Sequence, residues 1–326
     1  MKCESIALVG PFAKNVLKVI EESKPSGFKL FTIESEDEIS KIKEANYIIG
    51  REIKITKSII EMAPNLRLIQ RWGVGFDKVD IESAGKHGIP VTIAEGLNAT
   101  PVSELAILLI LALYRHLPLV YNNLRKGKWM KTEMRGISYM IEGKLVGIIG
   151  LGNIGKQVSH KVQSFGAKVQ YFDINRLSSD AESRLNVSYC EFETLLSTSD
   201  IICIHASLNE QTKGMINSET LSLMKSSSIL INTSRGEIIN EKDLVYSLKN
   251  RKLMGAGLDV FENEPIKPDN PLLKLDNVIL TPHIGGSTFD NVSKVAQHCF
   301  ANILKVSRGE SLPENDLVNK KFLRRK

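Results

Sequence analysis

Cysteine is scarce in this 326-residue sequence, and its four cysteines are widely separated. They form no Cys-x-x-Cys pair, and none lies in a cluster with histidine. This spacing predicts neither a zinc site nor a disulfide framework, so no bound metal is expected. A chain that does not depend on disulfides favours the reducing cytoplasm as its compartment. The cysteines are Cys3, Cys190, Cys203 and Cys299.

Long hydrophobic runs are also missing. The longest, "LAILLILAL", extends from Leu105 to Leu113 between Glu104 and Arg115. Crossing a bilayer takes about 20 apolar residues, so this run is too short to span a membrane. It predicts instead a helix that is buried on most of its faces. The N-terminus has no signal-peptide layout, and no membrane partner is expected.

The sequence has little excess of one charge. Lys and Arg total 43 against 37 Asp and Glu, which gives a net charge of +6 spread along the chain. The one dense basic run, "KKFLRRK" from Lys320 to Lys326, is a terminal tail. Such a run is typical of a solvated end rather than a nucleic-acid arm, so no nucleic-acid partner is expected. The remaining positive charge suits the attraction of a small anionic substrate.

Residues 1–99 alternate short apolar runs with polar helical stretches. Strands are predicted at "SIALVG", "ANYIIGR", "LRLIQRWG" and "IPVTIAEG". Strands that alternate with helices indicate a parallel sheet. Pro101 then opens a helical pattern that continues to about Lys126, with Thr100 as its N-cap and Pro101 at the first helical position.

A second α/β stretch follows this helix. It begins with "GKLVGIIGLGNIGKQVSHKVQSFGAKVQYFD", and further strands are predicted at "SDIICIHA", "SSSILINTS", "MGAGLDVF" and "NVILTPH". The chain after Ser287 has a helical pattern, and we expect it to cross back to the first domain. The predicted domains are therefore residues 1–99 with residues 287–326, and residues 100–286.

The stretch "GLGNIG" lies between the apolar strand "KLVGIIG" and a predicted helix. It places Gly150, Gly152 and Gly155 at G-x-G-x-x-G spacing. In this context the first glycine allows a tight turn, the second lets the backbone approach a pyrophosphate, and the third lets the helix pack on the strand. The helix N-terminus offers free N–H groups to phosphate oxygens. The stretch predicts a dinucleotide-binding loop.

The next predicted strand, "AKVQYFD", ends at Asp173, 18 residues after Gly155. A carboxylate at this place can accept hydrogen bonds from both ribose hydroxyls of a dinucleotide and would repel a 2′-phosphate. The sequence therefore predicts NAD rather than NADP as the cofactor.

Three polar residues each follow an apolar strand, in "INTSRGEIIN", "GLDVFENEP" and "TPHIGG". They are Arg235, Glu264 and His283, and the carboxyl ends of parallel strands converge on one ligand crevice. Arg235 can hold a carboxylate and polarise a carbonyl oxygen. His283 can take a hydroxyl proton, while Glu264 fixes its tautomer and favours its charged form. Taken singly, the three could be a surface ion pair, a solvated loop residue and a core histidine.

The motifs "GLGNIG", "NTSRG", "DVFENEP", "TPHIGGST" and "RWGVGFDKVD" together resemble those of the D-isomer-specific 2-hydroxyacid dehydrogenase family. The resemblance covers nearly the whole chain. It implies that Arg235, Glu264 and His283 are catalytic, with His283 as the acid–base residue. It also implies two doubly wound parallel-sheet α/β domains with a cleft between them. The Rossmann-type cofactor domain is expected to be inserted into a flavodoxin-like substrate domain.

The resemblance implies further site residues. The backbone amides of Val74 and Gly75 would receive the substrate carboxylate, where a glycine permits close approach. Asn98 would line the cleft, and Asp259 would lie near the nicotinamide. The cofactor-binding set implied beside the loop glycines and Asp173 is Asn153, Ile154, His205, Thr212, Thr233, Asp259 and Gly285.

Within the family, "RWGVGFDKVD" is most similar to the Arg-x-Gly-x-Gly-x-Asp pattern of enzymes that act on 3-phosphoglycerate. Its arginine, Arg71, would help to hold the substrate phosphate, and Arg51 could supply a second charge or lie on the surface. Two departures are Trp72, where a small residue is usual and which could narrow the pocket, and Ser207, where the family has mostly proline. Because the chain stops near residue 326, no C-terminal regulatory domain is expected.

Other functions stay open from the sequence. Reductases of hydroxypyruvate or glyoxylate share the same core motifs. Some relatives are NAD-binding corepressors or sensors, but this sequence keeps all three catalytic residues and has no long extension. The helix from Pro101 to about Lys126 resembles the family's dimerisation element, so we expect a homodimer; burial of this helix within one chain is the alternative.

Overall fold

The computed structural model describes residues 4–323, and its contacts divide the chain into two compact units. Unit 1 comprises Met1–Asn98 and Ser287–Lys326, and unit 2 comprises Ala99–Gly286. Each unit is built on one sheet in which every strand pairing is parallel. The predicted fold class, two parallel-sheet α/β domains, is confirmed.

The described residues form twelve strands. Several of them are continuous apolar runs, as expected for parallel sheets that are covered on both faces. The strands are β1 (Glu4–Val9), β2 (Phe28–Ile33), β3 (Tyr47–Gly50), β4 (Leu68–Arg71), β5 (Val91–Thr92), β6 (Leu145–Ile149), β7 (Lys168–Phe172), β8 (Ser188–Tyr189), β9 (Ile201–Ile204), β10 (Ile229–Asn232), β11 (Gly255–Leu258) and β12 (Val278–Leu280).

Twelve α-helices lie between or after these strands in the described residues. They are α1 (Lys14–Ser23), α2 (Lys57–Glu61), α3 (Ile81–Lys86), α4 (Ala99–Tyr114), α5 (Leu117–Leu124), α6 (Lys131–Met134), α7 (Asn153–Ser164), α8 (Ser179–Leu185), α9 (Phe192–Thr198), α10 (Ser218–Leu223), α11 (Glu241–Lys249) and α12 (Val292–Ser307). Further helical segments of the 3-10 type are found at Glu36–Glu44, Gly236–Ile238, Pro271–Lys274, Phe289–Asn291 and Lys320–Phe322.

The sheet of unit 1 has the strand order β2-β1-β3-β4-β5, the flavodoxin-like order. Helix α12 packs against β4 and α1, and its buried residues join an apolar cluster with β1, β3 and β4. The C-terminal segment then returns to the edge strand, where Thr92 forms an antiparallel bridge with Leu317. These contacts make the residues after Ser287 part of the core of unit 1.

The basic C-terminal run is only partly the solvated end that its composition predicts. Lys320 and Lys321 are exposed, but Phe322 is half-buried against α3. A Cβ on Gly85 would lie 2.4 Å from the Phe322 Cβ, so the two residues are in close contact. The apolar phenylalanine in the run accounts for the packing. Residues 324–326, like Cys3, lie outside the described residues.

The sheet of unit 2 has seven strands in the order β12-β11-β10-β9-β6-β7-β8. The order reverses between β6 and β9, which are neighbours although they are not consecutive along the chain. In open α/β sheets the loops that follow the two strands at such a point diverge and leave room for a ligand. A ligand site is therefore expected at the loops after β6 and β9.

The single long helix predicted from Pro101 to about Lys126 is wrong. Helix α4 begins at Ala99, so Thr100 lies inside it and does not cap it, and α4 ends at Tyr114. His116 then takes a left-handed conformation with φ 49° before α5 begins. Pro118 explains the break because it has no N–H to donate to the carbonyl of residue 114. That carbonyl instead accepts the N–H of Tyr139 at 3.0 Å.

Helix α4 is buried on most of its faces, as its apolar run predicts. Ala106, Leu109, Ile110 and Leu113 belong to the core of unit 2, where α4 packs against α7 and β11. No single helix among residues 4–323 is long and apolar enough to cross a bilayer. Helices α4 and α5 pass that test only when joined, and they are bent by 63° to each other.

Candidate cofactor and catalytic site

The three glycines of the loop after β6 meet three different requirements. Gly150 has φ 89°, and a Cβ there would lie 2.6 Å from the backbone nitrogen of Ala206. A Cβ on Gly155 would lie 2.3 Å from the Gly150 carbonyl oxygen. A Cβ on Gly152 would meet no atom within 4 Å. The first and third glycines are thus required by packing of the chain itself, whereas the second borders open space.

That open space lies at the N-terminus of α7. Gly152 is the N-cap residue and has no side chain to cap the helix, and the first turn carries no acidic residue. The positive end of the helix dipole at this terminus favours an anion. Asn153 is exposed at the first helical position, while Ile154 packs against the core beneath the loop. The loop fits a dinucleotide pyrophosphate.

Asp173 connects the end of β7 to the glycine loop. Its Oδ2 accepts the N–H of Leu151 at 2.8 Å, and its Oδ1 accepts the N–H of Asn175 at 2.9 Å. These two bonds fix the carboxylate beside the loop. Its place after the second strand of the motif is the one where a carboxylate can meet ribose hydroxyls.

His205 follows β9 on the other side of the point where the strand order reverses. Its backbone N–H donates to the Ile149 carbonyl at 2.8 Å, and its ring Nδ1 lies 3.5 Å from the Thr233 hydroxyl. Its Nε2 is buried, with no hydrogen-bond partner among the described residues. Burial lowers the pKa of His205 to about 4, so the ring is neutral at pH 7. A buried nitrogen without a partner fits a site that is completed by a polar ligand group.

Because this pKa is depressed, protonation of His205 opposes folding as the pH falls from 6.5 towards 4. Between pH 7 and pH 5, we expect the unfolding free energy of the wild type to fall by about 2 kcal/mol more than that of His205→Asn. Urea unfolding at the two pH values measures this difference. His160→Asn, which replaces an exposed histidine of α7, is the control and should behave as the wild type. Equal losses in wild type and His205→Asn would contradict the burial of the ring.

Thr212 and Thr233 occupy different surroundings. The Thr212 hydroxyl donates to the Ser207 carbonyl at 2.7 Å and accepts the Asn209 N–H at 2.8 Å, so it closes the loop after β9. Thr233 is buried after β10 and faces His205. Ser207 is exposed, and its backbone carbonyl makes the hydrogen bond to Thr212. The serine in place of proline therefore leaves this loop geometry intact.

The loop after β10 presents Arg235. The Asn232 side chain, fully buried, donates to the Arg235 carbonyl at 2.8 Å and accepts the Ser234 N–H at 3.0 Å. The Ser234 hydroxyl donates to the Ala206 carbonyl, which joins this loop to the loop after β9. The half-buried Arg235 donates from Nη1 to the Ser234 carbonyl at 2.8 Å. The backbone that carries the guanidinium is thus fixed by buried polar groups.

Gly236 brings the Arg235 loop into contact with the Glu264 loop. A Cβ on Gly236 would lie 1.9 Å from the Phe261 carbonyl carbon and 2.4 Å from the Glu262 nitrogen. Glu241, the first residue of α11, also supports the Glu264 loop, because it accepts the Glu262 N–H at 3.3 Å. Its other oxygen accepts the Asn270 side-chain amide at 2.6 Å. Sequence reasoning missed both residues, and the only signal was a glycine directly after the arginine.

Glu264 and His283 form a hydrogen-bonded pair. The His283 Nδ1 lies 2.7 Å from the Glu264 Oε2, and the Glu264 Oε1 accepts the Phe261 N–H at 3.2 Å. The His283 side chain is 45% exposed, so it is not a core histidine. With Nδ1 donating to the carboxylate, the neutral ring presents Nε2, on its opposite side, as a base. The pair can accept a proton from a substrate and return it.

Asp259 holds the loop that carries His283. Its buried carboxylate accepts the Thr281 hydroxyl at 2.7 Å and the N–H groups of Ile284 and Gly285 at 2.8 Å each. Burial raises the pKa of Asp259, and these hydrogen bonds oppose the rise. They also hold His283 at φ 53°, a left-handed conformation that a histidine rarely adopts. The geometry therefore gives Asp259 a positioning role, and a Cβ on Gly285 would lie 3.0 Å from its Oδ2.

The predicted substrate residues of unit 1 lie mostly in the loop after β4. Arg71 donates from Nε to the Gly75 carbonyl at 2.8 Å, and Val74 is half-buried between them along the chain. The fully buried Gln70 donates to the Arg71 carbonyl at 2.9 Å, which fixes the start of the loop. Asn98 is half-buried in the turn before α4.

Arg51 and Trp72 both pack against Phe12. Arg51 donates to the Pro11 carbonyl at 3.0 Å, and its guanidinium lies 5.3 Å from the Phe12 ring centroid. The Trp72 ring meets the same Phe12 edge to face, with 5.5 Å between centroids, and packs against the apolar core of unit 1. These contacts give Trp72 a packing role and attach Arg51 to the loop after β1.

Comparison with known proteins agrees with these features. Residues 107–285 match the D-isomer specific 2-hydroxyacid dehydrogenase, NAD binding domain. A glyoxylate reductase of Korarchaeum cryptofilum is 37% identical over 289 residues, which cover 88% of this chain and 86% of the relative. A D-3-phosphoglycerate dehydrogenase of Methanocaldococcus jannaschii is 38% identical over 95% of this chain, which spans only 58% of that relative.

A solved structure shows the same architecture. The D-lactate dehydrogenase of Aquifex aeolicus, complexed with NAD and lactic acid, superimposes with a TM-score of 0.84. It is 27% identical in sequence, and the match covers 94% of this chain and 96% of that one. The chain therefore belongs to the D-isomer specific 2-hydroxyacid dehydrogenase family, and it is an enzyme with NAD as its cofactor.

Proposed function

We propose that the enzyme interconverts 3-phosphoglycerate and its 2-keto acid, phosphohydroxypyruvate. The observation that supports this substrate is Arg71, which stands at the carboxyl end of β4 in an Arg-x-Gly-x-Gly-x-Asp stretch. Its hydrogen bond to the Gly75 carbonyl fixes both the side chain and the loop that contains Val74 and Gly75. A guanidinium has five N–H donors in a fixed planar arrangement, so it can donate hydrogen bonds to a loop carbonyl and to a phosphate at the same time.

Catalysis is assigned to the Glu264–His283 pair and to Arg235. The glycine loop and Asp173 would hold NAD, which would supply the hydride acceptor for C2 of the hydroxy acid. His283 takes the hydroxyl proton on Nε2, and the Glu264 carboxylate stabilises the resulting imidazolium through Nδ1. Arg235 binds the substrate carboxylate and polarises the C2 oxygen. In the reverse direction His283 returns the proton to that oxygen.

Loss of the Arg71 charge should affect the phosphorylated substrate selectively. We expect Arg71→Gln to lower kcat/KM for phosphohydroxypyruvate by about 10- to 100-fold, because a charge-assisted hydrogen bond contributes about 1.5–3 kcal/mol. Hydroxypyruvate, which lacks only the phosphate, should lose less than about threefold, because it makes no such bond. Arg51→Gln is the matched variant and should change the two substrates alike. Equal losses for both keto acids in Arg71→Gln would contradict the phosphate contact.

A glyoxylate or hydroxypyruvate reductase is the second candidate. The glyoxylate reductase of Korarchaeum cryptofilum is similar to this chain over most of both lengths. Arg71 and Arg51 also both hydrogen-bond to carbonyls of unit 1, which would give them a structural use without any phosphate. On this alternative, Arg71→Gln would change KM for phosphorylated and unphosphorylated keto acids equally.

The homodimer remains our proposal for the assembly. Helix α5 and the segment that follows it expose an unusual number of large apolar side chains, a feature that marks interaction surfaces. We expect a solution mass of twice the 36.3 kDa chain, and Leu124→Asp should give a species of one chain mass. A single-chain mass for the wild type by light scattering would contradict the dimer. The exposed residues are Leu117, Leu119, Tyr121, Leu124, Trp129, Ile137, Tyr139 and Met140.

The cytoplasm remains our proposal for the compartment. Cys190, Cys203 and Cys299 are free thiols, and a reducing environment would keep them so. Recovery of the enzyme in a secreted or periplasmic fraction would contradict this.

A further inference from the structure

The loop between β7 and α8 carries two charges with opposite consequences for a dinucleotide. Asp173 begins the loop, with its carboxylate fixed beside the glycine loop by the Leu151 N–H. Arg176 follows three residues later. An arginine in this part of a dinucleotide fold is the group that accommodates the 2′-phosphate of NADP, whereas an acid there rejects it. The contacts of Arg176 therefore bear on which coenzyme the enzyme accepts.

Arg176 is held by a carboxylate of α8. Its Nε lies 3.0 Å from the Glu182 Oε1, and its Nη2 lies 3.3 Å from the Glu182 Oε2. The guanidinium carbon also lies 4.7 Å from the centroid of the Tyr189 ring, on β8. Both oxygens of one carboxylate and one aromatic face thus fix the direction of the side chain, although 60% of it is exposed.

Glu182 is in turn held by the sheet. The hydroxyl of Tyr171, a fully buried residue of β7, donates to the Glu182 Oε1 at 2.8 Å. The same hydroxyl accepts the N–H of Leu177 at 2.9 Å, which ties down the loop next to Arg176. Arg176 and Tyr171 together lower the pKa of Glu182, so the carboxylate is charged at neutral pH. Only 13% of the Glu182 side chain is exposed, which limits its freedom to release Arg176.

We infer that Glu182 is a coenzyme-specificity residue, which holds Arg176 on Tyr189 and so withholds it from a 2′-phosphorylated dinucleotide. This rests on the proposed placing of the adenosine ribose at Asp173. Discrimination against NADP then has two parts. Asp173 repels the 2′-phosphate, and Glu182 neutralises and anchors the one arginine of the loop that could offset the repulsion. Removal of Asp173 alone leaves the second part in place.

The contributions of Asp173 and Glu182 can be measured separately in a set of variants. For each variant, titration calorimetry gives the dissociation constants of NADH and NADPH. Asp173→Ser should bind NADPH only weakly. Asp173→Ser/Glu182→Gln should bind NADPH at least about tenfold more tightly than Asp173→Ser, because the freed guanidinium can pair with the phosphate. Addition of Arg176→Ala to that double variant should abolish the gain. Glutamine keeps an acceptor for the Tyr171 hydroxyl, so the fold should survive.

The double variant Asp173→Ser/Glu193→Gln is the control for the loss of one negative charge. It removes that charge from an exposed position on α9 and should not bind NADPH more tightly than Asp173→Ser. The inference is overturned if Glu182→Gln adds less than twofold, if the control matches it, or if the gain survives the loss of Arg176. Failure of the wild type to bind NADH would instead contradict the cofactor site itself.

Discussion

Replacement of His283 by glutamine is expected to lower kcat by about 10²- to 10⁴-fold, the usual contribution of a general acid–base group. Its side chain is 45% exposed, and within residues 4–323 its ring hydrogen-bonds to Glu264 through Nδ1. The dissociation constant of NADH should change little, because the loop glycines and Asp173 lie at other strand ends. Stopped-flow NADH oxidation and NADH titration measure the two quantities.

Two further variants interpret this result. Glu264→Gln keeps a hydrogen-bond partner for the ring but removes the charge that stabilises the imidazolium, so its loss should be smaller, about 10- to 100-fold. His160→Gln changes an exposed histidine of α7 and should leave kcat unchanged. If His283→Gln keeps more than a tenth of the wild-type kcat, His283 is not the acid–base residue.

Replacement of Gly236 by alanine is expected to impair both activity and stability. The added Cβ would lie 1.9 Å from the Phe261 carbonyl carbon and 2.0 Å from its oxygen, and these are backbone atoms that cannot rotate away. The loops that carry Arg235 and Glu264 must then separate. A displacement of about 1 Å in a catalytic group can cost about 100-fold in rate, and overpacking of this kind costs about 1–3 kcal/mol of stability.

Gly136→Ala is the matched control, because a Cβ there would meet only the Glu133 carbonyl oxygen, at 3.9 Å. Denaturant unfolding and kcat should both stay near the wild-type values in this control. If Gly236→Ala retained wild-type kcat, the contact between the two loops would not set the positions of Arg235 and Glu264.

The sequence could predict the features that depend on residues close together along the chain. Apolar strands and the spacing of Gly150, Gly152 and Gly155 are short-range signals, and the structure shows each glycine in surroundings that suit its expected use. The pairing of Glu264 with His283 also followed, because both residues lie in loops after neighbouring parallel strands whose carboxyl ends share one edge of the sheet.

The rest depends on contacts between distant segments. Nothing near Gly236 in the sequence shows that its Cα faces the backbone of Phe261 and Glu262, and nothing near Asp259 shows that its carboxylate holds the His283 loop. The break after Tyr114 had a local signal in Pro118, but the strong apolar run obscured it. The assignment of Arg176 to Glu182 likewise required the fold, because helix α8 determines which carboxylate faces the loop.

The proposed substrate is tested most directly by steady-state NADH oxidation with phosphohydroxypyruvate, hydroxypyruvate, glyoxylate and pyruvate. We predict the highest kcat/KM for phosphohydroxypyruvate, at least about tenfold above hydroxypyruvate, because only the former carries a phosphate for Arg71. A higher kcat/KM for glyoxylate or hydroxypyruvate would contradict the phosphate contact and favour the reductase alternative. NADH binding without oxidation by any of the four would contradict the proposed reaction itself.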